Sequence, residues 1–352
     1  MNGGSTALDR TAKSLFILVV IVLALYFFSN ILMPILFSGL VSLILLPIVN
    51  FWQRIGLKNA LSVFFTVLLV TLLIAGVILI IIIQSQEIVK ELPELMKSNS
   101  DFLNISNFEF SSEAIREYIK DHSDTIQENV KALKGGIISF IEGGFNGLKN
   151  TFVFLITCPI YIFFMLLYRD NVYRFVIEFQ RKGKDKEEGK KIIDEVKMSL
   201  FHYLRGLMLV MLTIGVLTTL GLFFLGIKYA FFLGILTALL TPIPYIGVVI
   251  SALIPMTIAL LTKDSIWYTF GVLGIFVVVQ FAEGNFITPR IMGNSVNINP
   301  LIILLSIVIL GSISGLIGLI LTVPILAILK VIVDHYPQLK PWSYLLEDEK
   351  SG

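Results

Sequence analysis

Charged residues are scarce in this chain. Asp, Glu, Lys and Arg make up 15% of its 352 residues and hydrophobic residues 56%, and the mean hydropathy is +0.88. A soluble domain is nearer a quarter charged and half apolar, so an integral membrane protein is expected. Cysteine is almost absent. Cys158 stands alone, which excludes an intrachain disulfide and, within an apolar run, points to inert packing. The three histidines, His122, His202 and His335, are far apart in sequence and form no ligand-spaced cluster, so no metal or haem cofactor is expected. The net charge is only +2, and no basic patch is interleaved with aromatics, so nucleic acid is not an expected partner. The chain has no Walker A motif, no HExxH and no catalytic constellation. Gly311-Ser312-Ile313-Ser314-Gly315 is not a nucleophile elbow, because its middle residue is Ile. Neither an enzyme nor an ATP-driven pump is expected.

What the chain has is long apolar runs. A spanning helix takes about 20 mostly apolar residues. Residues 15–28 and 31–49 read as two spans, with a break near Ser29-Asn30 and Pro34 and an end at Pro47. The first run has no small-residue cleavage site and is followed at once by another, so it reads as a retained helix rather than a signal peptide. Trp52, Arg54 and Lys58 suit the cytoplasmic interface. Residues 60–83 form a third span, 151–168 a fourth with Pro159 inside, and 204–226 a fifth. Residues 87–150 are polar and helical in pieces, and Asp124-x-x-Gln127 resembles a capping box. An extramembrane helical insert is expected there, serving as a plain connection or a partner-binding device. Residues 169–197 mix many Lys and Arg with acids. They read as a short loop that the positive-inside rule places in the cytoplasm, with the N-terminus. A helical stripe of Ile192, Ile193, Val196, Leu200 and Tyr203 leads from it into the fifth span.

Two later segments are too long for one ordinary span. Residues 228–261 would reach about 50 Å as a helix, against a hydrocarbon core of about 30 Å. They are interrupted at Thr241-Pro242-Ile243-Pro244-Tyr245-Ile246-Gly247. Pro242 and Pro244 each remove a backbone donor, and Gly247 permits a turn. Residues 300–333 are again overlong, opened by Pro300 and interrupted by Gly311, Gly315, Gly318 and Pro324. Gly311 and Gly315 also form a GxxxG pair suited to close helix packing. Between the two lies a span, 266–281, that ends at Glu283. Discontinuous helices on either side of a normal span are the pattern of a transport core. An ionisable group at membrane depth is costly, so Glu283 reads as a proton or cation site or as a snorkelling interfacial residue. Lys263 and Arg290 are candidate partners for it, and Gln280 and Asn285 candidate donors. Ser312 and Ser314 are candidates to bind a solute or a neighbouring carbonyl. Pro289 and Gly293 punctuate the stretch after Glu283.

The order of these motifs resembles the autoinducer-2 exporter family of bacterial permeases. The likeness rests on Pro242-Ile243-Pro244-Tyr245-Ile246-Gly247, on Glu283-Gly284-Asn285 with Thr288-Pro289-Arg290-Ile291-Met292-Gly293, and on Asn299-Pro300, Gly311, Gly315, Gly318 and Val323-Pro324. Tyr203-Leu204-Arg205-Gly206 is also similar, although Leu207 and Val248 stand where many members have Gln and Pro. The resemblance implies a multi-pass permease of the bacterial cytoplasmic membrane, assembled as a homo-oligomer. It implies export of a small polar solute such as autoinducer-2 or, alternatively, sodium–proton antiport through Glu283. A non-transporting membrane scaffold is the rival class. The expected fold is all-α and polytopic, with about eight spans. The expected divisions are N-terminal membrane helices (1–86), the insert (87–150), a span with the basic loop (151–202), the transport core (203–333) and a polar tail (334–352).

Overall fold

The computed structural model describes residues 27–98, 152–179, 186–263, 265–293, 297–336 and 339–347. Residues 15–26 of the first expected span, the insert beyond Ser98 with Asp124, Gln127 and His122, Asn294-Ser295 and the last residues of the tail lie outside them. Every regular element among the described residues is helical. In lipid each backbone polar group has to be bonded within its own segment, and long apolar runs satisfy that as helices. The helices are α1 (Ser29–Arg54), α2 (Asn59–Ser98), α3 (Phe152–Leu167), α4 (Arg169–Phe179), α5 (Lys186–Phe224), α6 (Ala230–Leu240), α7 (Ile246–Thr262), α8 (Trp267–Ala282), α9 (Thr288–Met292), α10 (Pro300–His335) and α11 (Lys340–Leu346), with a π-helical turn, Glu283–Ile287, joining α8 to α9. Among the described residues, five stretches are long and apolar enough to cross a membrane: Ile31–Arg54, Asn59–Ile88, Gly189–Phe224, Trp267–Met292 and Pro300–His335. Shorter apolar helices cover Ile156–Leu167, Ala230–Leu240 and Ile246–Thr262. The protein is a polytopic all-α membrane protein.

The described residues form two compact units, one drawn from Met1–Leu69, Phe154–Arg205 and Asn294–Gly352, the other from Val70–Val153 and Gly206–Gly293. In the first, α10 packs on α1, and Ser38 of α1 donates to the Cys158 carbonyl of α3 at 3.3 Å. Polar contacts link four helices at one end of this unit. Tyr173 on α4 donates to Asp194 of α5 at 3.2 Å. The neighbouring Glu195 meets His335 at the end of α10 at 3.2 Å. Asp334 in turn takes Ser343 of α11 at 2.5 Å and Lys330 at 3.5 Å. In the second unit the core joins Leu222, Ile227, Phe232, Leu233, Ile254, Ile258, Val272 and Phe276. Two buried hydroxyls bond their own helix: Thr237 donates to the Leu233 carbonyl at 2.8 Å, and Thr322 of the first unit to Gly318 at 2.8 Å.

Both overlong segments fold back on themselves. In the second unit α6 and α7 pack against each other. A Cβ at Gly247 would stand 2.0 Å from the Leu240 carbonyl oxygen. At the other end, a Cβ on Gly226 would lie 3.3 Å from Lys263 Nζ. In the first unit the turn is Gly315, with φ 56° and ψ −136° inside α10, a conformation open to glycine but not to L side chains. A Cβ at Gly318 would stand 2.0 Å from the Leu310 carbonyl oxygen. The ends meet through α11: Asn299 N–H donates to the Leu346 carbonyl at 2.9 Å, while Ser343 holds Asp334. A straight helix of this length would hold its ends about 50 Å apart. Length alone would let Pro300–His335 cross a membrane; its contacts fold it into a helical hairpin.

Several sequence expectations are corrected. Pro34 does not break α1 and Pro47 does not end it, since both lie inside the helix, which runs on to Arg54. Val49, beyond Pro47, is fully buried, and that packing holds the last turns despite the lost donor. The expected loop at 169–197 is largely helical, as α4 and the start of α5, because Ile192, Leu200 and Tyr203 are buried on one uninterrupted stripe. Pro324 does not interrupt α10; it is buried within the second limb. The turn after Leu240 takes its positive φ at Tyr245 (φ 62°) rather than at Gly247, whose role is the close approach to Leu240.

Candidate functional site

The segment carrying Glu283 does not end there. It stays helical from Trp267 to Met292, a stretch long and apolar enough to cross a membrane, so Glu283 lies inside that helix, at the first position of the π-helical turn. Pro289 explains the turn. It has no N–H, and its ring would clash with the carbonyl four residues earlier in a regular α-helix. Widening one turn relieves that clash: Thr288 N–H bonds the Glu283 carbonyl, five residues back. Thr288 has then given its N–H to Glu283 and Pro289 has none to give. The Gly284 carbonyl therefore lacks the donor that either helical register would supply. Such π-turns recur at functional sites.

The turn gathers three side chains. Gln280 Nε2 donates to Glu283 Oε2 at 2.6 Å, and Thr288 Oγ1 donates to Glu283 Oε1 at 2.5 Å. Both donors are neutral. A carboxylate offers about four lone-pair sites, so each oxygen keeps acceptor capacity toward a further ligand. Among the described residues no cation pairs with Glu283. Lys263 lies over the Tyr268 ring, 4.9 Å from its centre, and Arg290 is exposed at the end of α9. Asn285 turns away, donating to the Phe281 carbonyl at 2.9 Å. Of the sequence candidates, then, Gln280 joins Glu283 while Asn285, Arg290 and Lys263 do not. Thr288 was missed. Its signal is a hydroxyl five residues after a lone acid and immediately before a proline.

The remaining candidates sort by geometry. Gly293 (φ 53°, ψ −139°) ends α9. Gly206, from the Tyr203-Leu204-Arg205-Gly206 motif, lies against Met292: a Cβ there would be 2.8 Å from Met292 Cγ. At the α6–α7 tip, Thr241 and buried Pro242 lie outside both helices, and Pro244 contributes its carbonyl to Ile246 N–H at 2.7 Å. No backbone donor among the described residues bonds the Thr241 or Pro242 carbonyl. In the other unit, Pro300 starts α10 under an Asn299 cap, whose side chain accepts from Leu301 N–H at 2.9 Å. Ser312 bonds the Val308 carbonyl at 2.7 Å. Ser314, beside the Gly315 turn, has a buried hydroxyl with no partner among the described residues. Gly311 packs on its own hairpin, its would-be Cβ 2.7 Å from Leu319 Cδ2. Ser312 and Ser314 belong to a different compact unit from Glu283. No group of three or more His, Cys, Asp or Glu side chains suited to a metal occurs among the described residues.

Comparison with known proteins agrees with this architecture. The chain matches the AI-2E family transporter model over residues 15–338. It is 28% identical to YrrI of Bacillus subtilis (strain 168) over 334 residues, covering 89% of this chain and 88% of that protein. It is 24% identical to PerM of Escherichia coli (strain K12) over 320 residues, covering 89% of each. It is also 24% identical to the AI-2 transport protein TqsA of Escherichia coli (strain K12) over 340 residues, covering 94% of this chain and 93% of that protein. Together with its membrane-spanning helices, this establishes that the chain belongs to the AI-2E family of transporters.

Proposed function

We propose that this permease exchanges protons for a small cation, sodium first, at the Glu283 carboxylate. The observation that supports the reading is a carboxylate inside a span, held by two neutral donors and paired with no cation among the described residues. A bare charge at membrane depth is costly. Binding either H⁺ or Na⁺ neutralises it, so release of one on arrival of the other keeps the charge of the site constant. The Gly284 carbonyl and the Thr288 oxygen supply further hard ligands of the kind sodium takes. The folded-back segments serve as the broken helices of the transport pathway. The α6–α7 hairpin follows the fifth span, which runs outward from the basic 169–202 stretch, so it opens to the outside. The basic 169–202 stretch and the N-terminus are cytoplasmic in this arrangement, in the inner membrane of a bacterium, and the chains assemble as a homo-oligomer.

Export of a neutral polar solute is the second reading, favoured by the name of TqsA and by the Thr241 and Pro242 carbonyls, which take no backbone donor among the described residues. Purified protein in liposomes with an internal pH dye separates the two. When sodium is added outside, the internal pH rises with the wild type and not with Glu283→Gln. No flux with either protein defeats the exchange reading and leaves efflux of labelled autoinducer-2 as the assay for the second.

A further inference from the structure

The short C-terminal helix α11 exposes Trp342 and Leu345, three positions apart on one face, with Tyr344 exposed beside Leu345. Its place in the fold decides what covers that face. The Leu346 carbonyl is bonded to Asn299 N–H, one residue before the first limb of the α10 hairpin begins. Leu301, Leu304, Leu305 and Val308 follow on that limb, all exposed and spaced as one helical stripe. An exposed apolar stripe on a membrane helix faces acyl chains, so Asn299 marks the level where hydrocarbon gives way to headgroups. Trp342, Tyr344 and Leu345 lie within about 6 Å along the helix axis of Leu346. Trp and Tyr are the residues that settle at that level, ring in the apolar boundary and polar atom in water. Lys340, at the other end of the helix, is exposed and suited to phosphate.

We propose that α11 docks into the headgroup–acyl boundary of the bilayer at the mouth of the α10 hairpin. There it acts as a clasp, because it also holds both limbs: Asn299 on the first through Leu346, Asp334 on the second through Ser343. The mouth of the hairpin is thereby tied to one depth in the membrane while its Gly315 tip lies within the bilayer. This docking needs only the membrane setting of the chain and stands apart from the cargo assigned to Glu283.

The test uses the full chain in phosphatidylcholine vesicles. The other two tryptophans, Trp52 and Trp267, are changed to Phe, leaving Trp342 as the reporter. Lipids brominated at different acyl positions then read its depth. Strong quenching by bromines nearest the headgroup, weakening toward the chain ends and independent of protein density, is the expected result. Emission at long wavelength with quenching by aqueous iodide would mean an exposed helix in water and would overturn the proposal. So would emission shielded from both quenchers, which would mean that a second copy of the chain covers α11. If the double Phe variant does not fold, a nitroxide on Leu345→Cys in a Cys158→Ser background gives the same reading. Collision with oxygen has to exceed collision with a water-soluble nickel chelate, without spin–spin broadening between copies; the reverse in either respect overturns the docking.

Discussion

Thr288 and Glu283 are five residues apart and joined side chain to side chain at 2.5 Å. In a regular α-helix positions five apart point about 140° away from each other, so the bond exists only because the turn between them is π-helical. The bulge, the proline behind it and the carboxylate are one device. Removing the hydroxyl should therefore hurt transport without hurting the fold. Thr288→Val is expected to lower sodium-dependent flux about tenfold, the effect of losing about 1.4 kcal/mol of hydrogen bonding to a charged group. Thr288→Ser is expected to keep most of it. Equal flux from the Val variant and the wild type would detach the bulge from function.

Gly315 and Gly284 provide a paired stability test. Gly315 has φ 56°, where an L side chain is strained by about 1–3 kcal/mol. A Cβ on Gly284 would meet nothing within 4 Å. Gly315→Ala is expected to lower the melting temperature of the detergent-solubilised protein, and Gly284→Ala to leave it within error. Thermal unfolding followed by intrinsic fluorescence measures both.

The closest backbone approaches should be less forgiving still. At Gly247 and Gly318 a Cβ would strike a backbone carbonyl, at 2.0 Å in each case. At Gly311 it would strike the end of the Leu319 side chain, which can rotate away. Gly247→Ala and Gly318→Ala are expected to reduce the yield of monodisperse protein severely and Gly311→Ala mildly, as read by size-exclusion chromatography of matched preparations.

Re-entrant hairpins have a topological signature. In a Cys158→Ser background, Lys228→Cys and Lys263→Cys, at the two ends of the α6–α7 hairpin, are expected to react with an impermeant maleimide from the same side of the membrane. Asn299→Cys and Lys340→Cys, at the mouth of the α10 hairpin, are likewise expected to react from one side as a pair. Labelling of 228 and 263 from different sides would mean that 230–262 crosses the bilayer.

The sequence exposed some of this and hid the rest for physical reasons. The break at Thr241–Gly247 was legible because two prolines remove two donors within three residues, more than a helix absorbs. Pro34, Pro47 and Pro324 looked equally disruptive, yet each costs a single donor; Pro34 and Pro324 are buried within their helices, and Pro47 is followed by buried Val49. The glycines of α10 are alike in composition; only backbone torsion separates Gly315, which turns, from Gly318, which lets the limbs touch. Glu283 was found from the cost of its charge in lipid. Thr288 was not, because an α-helical wheel puts it on the far side of the helix, and only the π-turn brings it back.

Sodium binding to the purified protein is the most direct test of the exchange site. Equilibrium binding of radioactive sodium in detergent, measured across pH, asks whether Glu283 is where proton and sodium compete. The wild type is expected to bind sodium saturably and to release it as the pH falls, while Glu283→Gln, still folded and monodisperse, binds none. Saturable, acid-sensitive sodium binding by Glu283→Gln equal to that of the wild type would contradict the account.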